Sequence, residues 1–551
     1  MKKTIYFSII SIFNFILFFS MRSIWSGIED MFGVAWLAYL LFVILVLLAL
    51  VSLIKIFIKK NRLSLLLLII SLIFTIALCY MFYLGIGSYK YIIRTFGKGA
   101  LYLFIIAFII FMIFYFPKSK LSRSLFFKFG LSAIIIVIII LLIFNLGINY
   151  LTNMPVVYAV ESDYQIVWTT SLNSTGSVKV GNDYYHDLYA GSKRSSKVHK
   201  VIVPMKVLDE GKFYQIYSTS IIYRGPYSGL KGRTITKDFQ FKPLDLSDGL
   251  HYYALSDTHE HAHAAGITGS YFGDKLDFLI LLGDISSHLE STKDMELINR
   301  IAFEITKGQK PIVYARGNHE VKASNAPELH RYVGSKNENF YYTFTLQGVF
   351  GIVLDLGEDH EDSWWEFYDT AHFEAYRTIQ TEFLKEIVAR EDYQSPDIVY
   401  RMLISHIPIS YVSADNFLKD LKLEWTEILN EIKLDIALSG HHHQLMPITV
   451  DVPANVDLYF DKSYSYNIES KRGFRTASNF NTFIVSRRSN VQNIGVKENL
   501  FGKQHSGLAA EVNFDEQTQC FYYTNTKHML VDVINPFTGA AKKEFKFMLG
   551  E

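Results

Sequence analysis

Five short stretches carry side chains suited to holding metal ions: Asp257-Thr258-His259, Gly283-Asp284, Gly317-Asn318-His319-Glu320, His406, and Gly440-His441-His442-His443. Carboxylate oxygen, amide oxygen and imidazole nitrogen are the donors that hard or borderline divalent cations prefer. A carboxylate can bridge two cations, and Asp284 is placed to do so. Residues two apart on an extended segment point the same way. That is the spacing of Asp257 with His259 and of His441 with His443, and it would turn His442 to the opposite side. The glycines at 283, 317 and 440 let the backbone turn tightly beside the ions.

Each stretch follows an apolar run that reads as a strand: His251–Ser256, Phe278–Leu282, Pro311–Ala315, Met402–Ser405 and Ile436–Ser439. Helical stretches alternate with these runs, which predicts an α/β domain over 248–551. Ligands at strand C-termini are where open α/β sheets place their sites. Around this set, His261 and His263 are candidates for substrate contact, with a solvated loop as the alternative, and His288 is a candidate for support of the ligands or for facing substrate. Arg316 can bind phosphate or pair with a carboxylate. The acidic and aromatic run Glu358–Trp365 is read mainly as a solvated insertion, with lining of the cleft or contact with a membrane surface as the alternative.

The order D-x-H, G-D, G-N-H-E, H, G-H-x-H resembles that of the calcineurin-like metallophosphoesterases, over about residues 250–445. The resemblance implies a two-sheet sandwich flanked by helices and a pair of divalent or mixed-valence metal ions, Mn, Fe, Zn or similar. One ion would take Asp257, His259, Asp284 and His443, and the other Asp284, Asn318, His406 and His441. His319 would stand beside the leaving group as general acid or electrostatic stabiliser. The reaction implied is hydrolysis of phosphomonoesters or phosphodiesters by in-line attack of a metal-bound hydroxide. A β-domain ahead of such a domain is also similar to purple acid phosphatases. That family has D-x-G where this chain has Asp257-Thr258-His259, and a Tyr ligand where this chain has Ser287, so an iron–tyrosinate centre is not expected.

Residues 151–247 hold β-branched and aromatic runs broken by Gly, Asn and Ser, which predict a β-sandwich. Leu208 and Tyr214 resemble the tyrosine corner of fibronectin type III modules, although Glu210 and Lys212 replace the usual Pro and Thr. Before them, residues 1–150 contain five apolar runs (4–21, 33–54, 63–87, 99–117 and 129–148), each near the ~20 residues a helix needs to cross a bilayer. These predict five transmembrane helices in a multi-pass anchor at the cell membrane. Ten basic residues fall on one side of the runs and four on the other, which puts the catalytic domain on the extracytoplasmic side.

Residues 1–150 hold 14 Lys/Arg against 2 Asp/Glu, and the remainder 40 against 51. The acidic remainder lacks the basic footprint of a nucleic-acid partner. Two cysteines, Cys79 and Cys520, do not make a disulfide framework. The anchor makes lipid phosphates and cell-envelope phosphodiesters candidate substrates, and nucleotides fit as well. The competing readings are a membrane sensor that binds phosphorylated envelope molecules, and a transporter, against which the spans carry no mid-membrane charge.

Overall fold

The computed structural model describes residues 149–551, apart from 225–228, 260, 414–416, 444–445, 452, 455–472, 486, 490–503, 526–543 and 550–551. In chain order, the first strands are β1 (Leu151–Val160), β2 (Asp163–Val180) and β3 (Ser195–Pro204). A short helix, α1 (Met205–Gly211), leads into β4 (Phe213–Arg224) and β5 (Gly229–Gln240). Strands and helices then alternate through β6 (Leu250–Leu255), α2 (Ala262–Gly269), β7 (Phe278–Leu281), α3 (Thr292–Thr306) and β8 (Pro311–Tyr314). The second half adds β9 (Tyr342–Leu346), β10 (Val349–Leu354), α4 (Phe373–Arg390), β11 (Tyr400–Ser405), α5 (Lys419–Asn430) and β12 (Ile436–Ser439). It closes with β13 (Met446–Ile448), β14 (Thr482–Ile484), β15 (Gln504–Asn513), β16 (Thr518–Asn525) and β17 (Glu544–Met548).

Two mixed sheets result. The larger runs β17-β16-β15-β6-β7-β8-β1-β2-β4-β5, with β3 also pairing β2, and the smaller runs β9-β10-β11-β12-β14-β13. Strands β6, β7 and β8 are parallel to one another, as are β10, β11 and β12. Successive side chains of a strand face opposite ways, and the burial follows that period. Tyr252 and Ala254 of β6 join Ile404 of β11, Leu438 of β12 and Phe483 of β14 in one core between the sheets. Tyr253 and Leu255 face outward onto Ile298 and Ile301 of α3. On the far side, Ile352 and Leu403 pack under Leu384 of α4 and Trp425 of α5. Strands covered on both faces need near-continuous apolar runs, which explains Phe-Leu-Ile-Leu at β7. Helix α3 starts where the Ser291 backbone N–H donates to Asp294 at 2.7 Å, a capping arrangement that satisfies a donor left free by the helix.

Two expectations are corrected. The first is the multi-pass membrane protein: among the described residues, no helix is long and apolar enough to cross a membrane. The longest, α4, carries Glu374, Arg377, Glu382, Lys385, Glu386 and Arg390, and α3 has 15 residues where a crossing needs ~20. The five apolar runs themselves lie outside the described residues. The second is the separate fibronectin type III-like sandwich over 151–247. Strand β1 instead pairs in parallel with β8, Val157 opposite Pro311 and Tyr158 opposite Ile312, so these strands extend the larger sheet. Val156–Val160 are buried throughout, the mark of a central strand. Nor is 208–214 a tyrosine corner: Leu208 sits in α1, and the Tyr214 hydroxyl donates to the Gly308 carbonyl at 2.8 Å, tying β4 to the turn before β8.

Candidate metal centre

Because β6, β7 and β8 run parallel, their C-terminal ends lie together, and the same holds for β11 and β12 in the facing sheet. The five loops that follow them meet at one edge of the sandwich. Their close approach depends on two glycines. A Cβ on Gly283, whose φ is +79°, would overlap the Gly317 backbone, and one on Gly317 would overlap the Asp284 nitrogen and Oδ1. The ligand loops are not extended, as the two-residue spacing suggested. Asp257, His259, Asp284, His441 and His443 have φ of 51°, 40°, 52°, 72° and 52°. Asp and His tolerate the left-handed region better than most residues, and it is this conformation that swings alternate side chains to a common point. The His442 ring instead packs edge-on to Tyr411, at 5.1 Å between centroids.

The seven residues singled out in the sequence come together in two overlapping groups. In the first, Asp257, His259, Asp284 and His443 each aim a ligand atom at the others, all within 4.8 Å. His259 Nε2 lies 3.2 Å from His443 Nε2 and 3.7 Å from Asp284 Oδ2, and His443 Nε2 lies 3.4 Å from Asp257 Oδ1. Burial holds the His259 pKa down at about 3, against the pull of the two carboxylates, so its ring carries no charge at neutral pH and is ready to ligate.

In the second group the proton positions can be deduced. His406 Nδ1 faces the Leu282 carbonyl at 2.6 Å, so it carries the proton and leaves Nε2 as a lone pair. That nitrogen points at Asn318 Oδ1 (3.1 Å) and Asp284 Oδ2 (3.3 Å). The Asn318 amino group donates to Glu358 at 3.0 Å, which turns Oδ1 inward. His441 Nε2 faces the Asp359 carboxylate at 3.0 Å, which leaves Nδ1 as the lone pair, 3.2 Å from the same Asn318 oxygen. Four acceptors therefore converge with no hydrogen to share. Either a cation sits among them or His406 takes a second proton; burial opposes that proton, yet Asp284 pushes the His406 pKa up to about 10. Amide, carboxylate and imidazole donors in one buried cluster suit divalent metal ions. The histidines act against burial to hold the Asp284 carboxyl below its usual range, as a cation-binding group requires.

His319 stands at the rim. Its backbone N–H donates to Asp284 Oδ1 (2.9 Å) and its Nδ1–H to the Ser287 carbonyl (2.7 Å), so Nε2 is the nitrogen left to face a substrate. Ser287, the position at which purple acid phosphatases carry a Tyr ligand, thus contributes its backbone. Glu320 has a part the sequence did not disclose. Its fully buried carboxylate accepts backbone N–H bonds from Gly317 and Asp284 on one oxygen and from Ile285 and Ser286 on the other, at 2.7–3.1 Å. Burial and the Asp284 charge push its pKa up, and the Ser286 and Asp284 N–H groups and His406 oppose them. Arg316 pairs with Asp355 at 2.7 Å under the Phe340 ring, which decides for the carboxylate over phosphate. His261 is buried, whereas His263 is exposed and His288 lies 3.7 Å from Glu290 at the surface. The Glu358–Asp359 segment, read mainly as a solvated insertion, supports two of the convergent side chains.

Residues 250–445 match the family model described as calcineurin-like phosphoesterase. Among solved structures, a purple acid phosphatase, PPD1, from yellow lupin (Lupinus luteus) seeds aligns with 72% of this chain and 74% of its own, at 12% identity and a TM-score of 0.40. PhoD aligns with 70% of this chain and 91% of its own, at 10% identity and a TM-score of 0.36. The phosphopantetheinyl hydrolase of Mycobacterium tuberculosis aligns with 37% and 86%, at 13% identity and a TM-score of 0.23. No curated protein matches the chain. The matched segment is a calcineurin-like phosphoesterase domain, and it is the segment that carries all seven convergent side chains.

Proposed function

We propose that this metallophosphoesterase uses two divalent metal ions to hydrolyse phosphomonoesters or phosphodiesters. Asp257, His259, Asp284 and His443 would hold one ion, and Asp284, Asn318, His406 and His441 the other, with Asp284 shared. The observation that carries this reading is the convergence of Asn318 Oδ1, His406 Nε2, His441 Nδ1 and Asp284 Oδ2, with neighbouring atoms 3.1–3.3 Å apart. Divalent ions bound there supply positive charge to the phosphoryl oxygens and lower the pKa of water toward ~7.

The chain's own residues do the rest. Phosphoryl transfer demands positioning and charge neutralisation more than covalent chemistry. The Gly283–Gly317 contact and the Glu320 carboxylate fix the loops that present Asp284 and Asn318. The Ser287 carbonyl holds His319 in the tautomer whose Nε2 faces outward, and the protonated ring would donate from Nε2 to the departing ester oxygen.

The test is turnover of p-nitrophenyl phosphate and bis(p-nitrophenyl) phosphate by the full chain. Dialysis against a chelator should abolish activity, and Mn²⁺ should restore it. Asp284→Asn should stay inactive with metal added. Metal-loaded protein that turns over neither ester refutes the reading.

A further inference from the structure

The two sides of the centre are unequal in charge. One has two carboxylates, Asp257 and Asp284, beside two imidazoles. The other has an amide and two imidazoles, none of them an anionic ligand, and only the shared Asp284. A buried divalent cation facing one half-shared carboxylate is poorly neutralised. Two further carboxylates stand immediately behind the neutral ligands, on one loop between β10 and α4. Asp359 accepts the His441 Nε2–H at 3.0 Å, and Glu358 accepts the Asn318 amide at 3.0 Å.

Accordingly we infer that Asp359 and Glu358 are positioning residues that set the affinity of this side alone, by orienting its neutral ligands and adding negative charge one bond away. The inference rests on the two-ion reading. Asp359 keeps His441 Nδ1 inward, and Glu358 keeps the Asn318 oxygen, rather than its amino group, toward the cation. The loop is held firmly enough for this. Arg377 donates to the Leu356 and Glu358 carbonyls at 3.1 and 3.2 Å, and Lys322 ties Glu358 to Glu366 at 3.0 and 2.8 Å. The opposite group has no such carboxylates behind its histidines among the described contacts. Outer partners of metal ligands typically govern metal affinity by about 10–100-fold.

The experiment is Mn²⁺ titration of the chelator-stripped full chain, read by calorimetry and by electron paramagnetic resonance, on wild type, Asp359→Ala and Asp359→Asn. Wild type should take up two equivalents and show the signal of a coupled pair. Asp359→Ala should bind one equivalent normally and the other about 10–100-fold more weakly, with the signal of an isolated Mn²⁺ at intermediate loading. Asp359→Asn keeps the acceptor and loses the charge, so it should fall between; it also serves should the alanine variant not fold. Two equivalents of wild-type affinity in both variants, or equal weakening of both equivalents, overturn the inference and leave the two-ion reading standing. A wild-type chain that binds fewer than two overturns both.

Discussion

Replacing Glu320 with Gln isolates a part of the site that lies behind the seven convergent side chains. The native carboxylate accepts four backbone hydrogen bonds, two on each oxygen, and is fully buried. A glutamine presents one oxygen and one amino group. Whichever way the amide turns, two buried N–H groups meet a donor instead of an acceptor. Each orphaned buried donor costs about 1–3 kcal/mol, so Glu320→Gln should lose about 2–6 kcal/mol of stability in metal-free protein. Urea unfolding of the full chain reads that loss as a lower midpoint at unchanged slope. The donors belong to Gly317 and to the Asp284–Ser286 turn, so Mn²⁺ affinity should fall as well. An unchanged midpoint would refute the claim that these four bonds hold the ligand loops.

Three further outcomes are expected. His319→Ala should slow hydrolysis of alkyl phosphates by about 10²–10⁴-fold and of nitrophenyl esters much less, since a good leaving group needs little protonation; equal losses on both would remove the acid role. Tyr214→Phe leaves the buried Gly308 carbonyl unpaired and should cost about 1–3 kcal/mol, measured by denaturant unfolding, with phosphate release from saturating ester unchanged. Burial pushes the Asp435 carboxyl up to about 6, against the Arg401 backbone N–H that it accepts. The folded chain therefore binds a proton that the unfolded chain has released, and stability falls as pH rises from about 4 to 6. At about 1.4 kcal/mol per unit the loss is about 3 kcal/mol, so Asp435→Asn should gain on wild type across that interval, and a difference flat in pH would contradict it.

Legibility divides by distance along the chain. The types of the convergent side chains, their order and the strand preceding each could be read directly, because each is a local pattern: an apolar run, in most cases a glycine, then Asp, Asn or His. That five such loops share one edge follows from parallel strands, which the alternation of strands and helices already suggested. The left-handed turns at Asp257, His259, His441 and His443 escaped a reading that assumed extended segments. So did the function of Glu320, whose four donors come mostly from residues 34–36 positions away.

Sequence alone was enough to name the side chains that converge and the chemistry their donors suit, since a donor's preference is a property of its atoms. Tertiary structure decided the rest. It joined β1 to β8, 154 residues apart by Val157 and Pro311, making one sheet where a separate sandwich was expected. It set Asp359 against His441 and Glu358 against Asn318. Such pairings satisfy buried backbone and side-chain polar groups across the fold, and nothing in the flanking residues of either partner announces them.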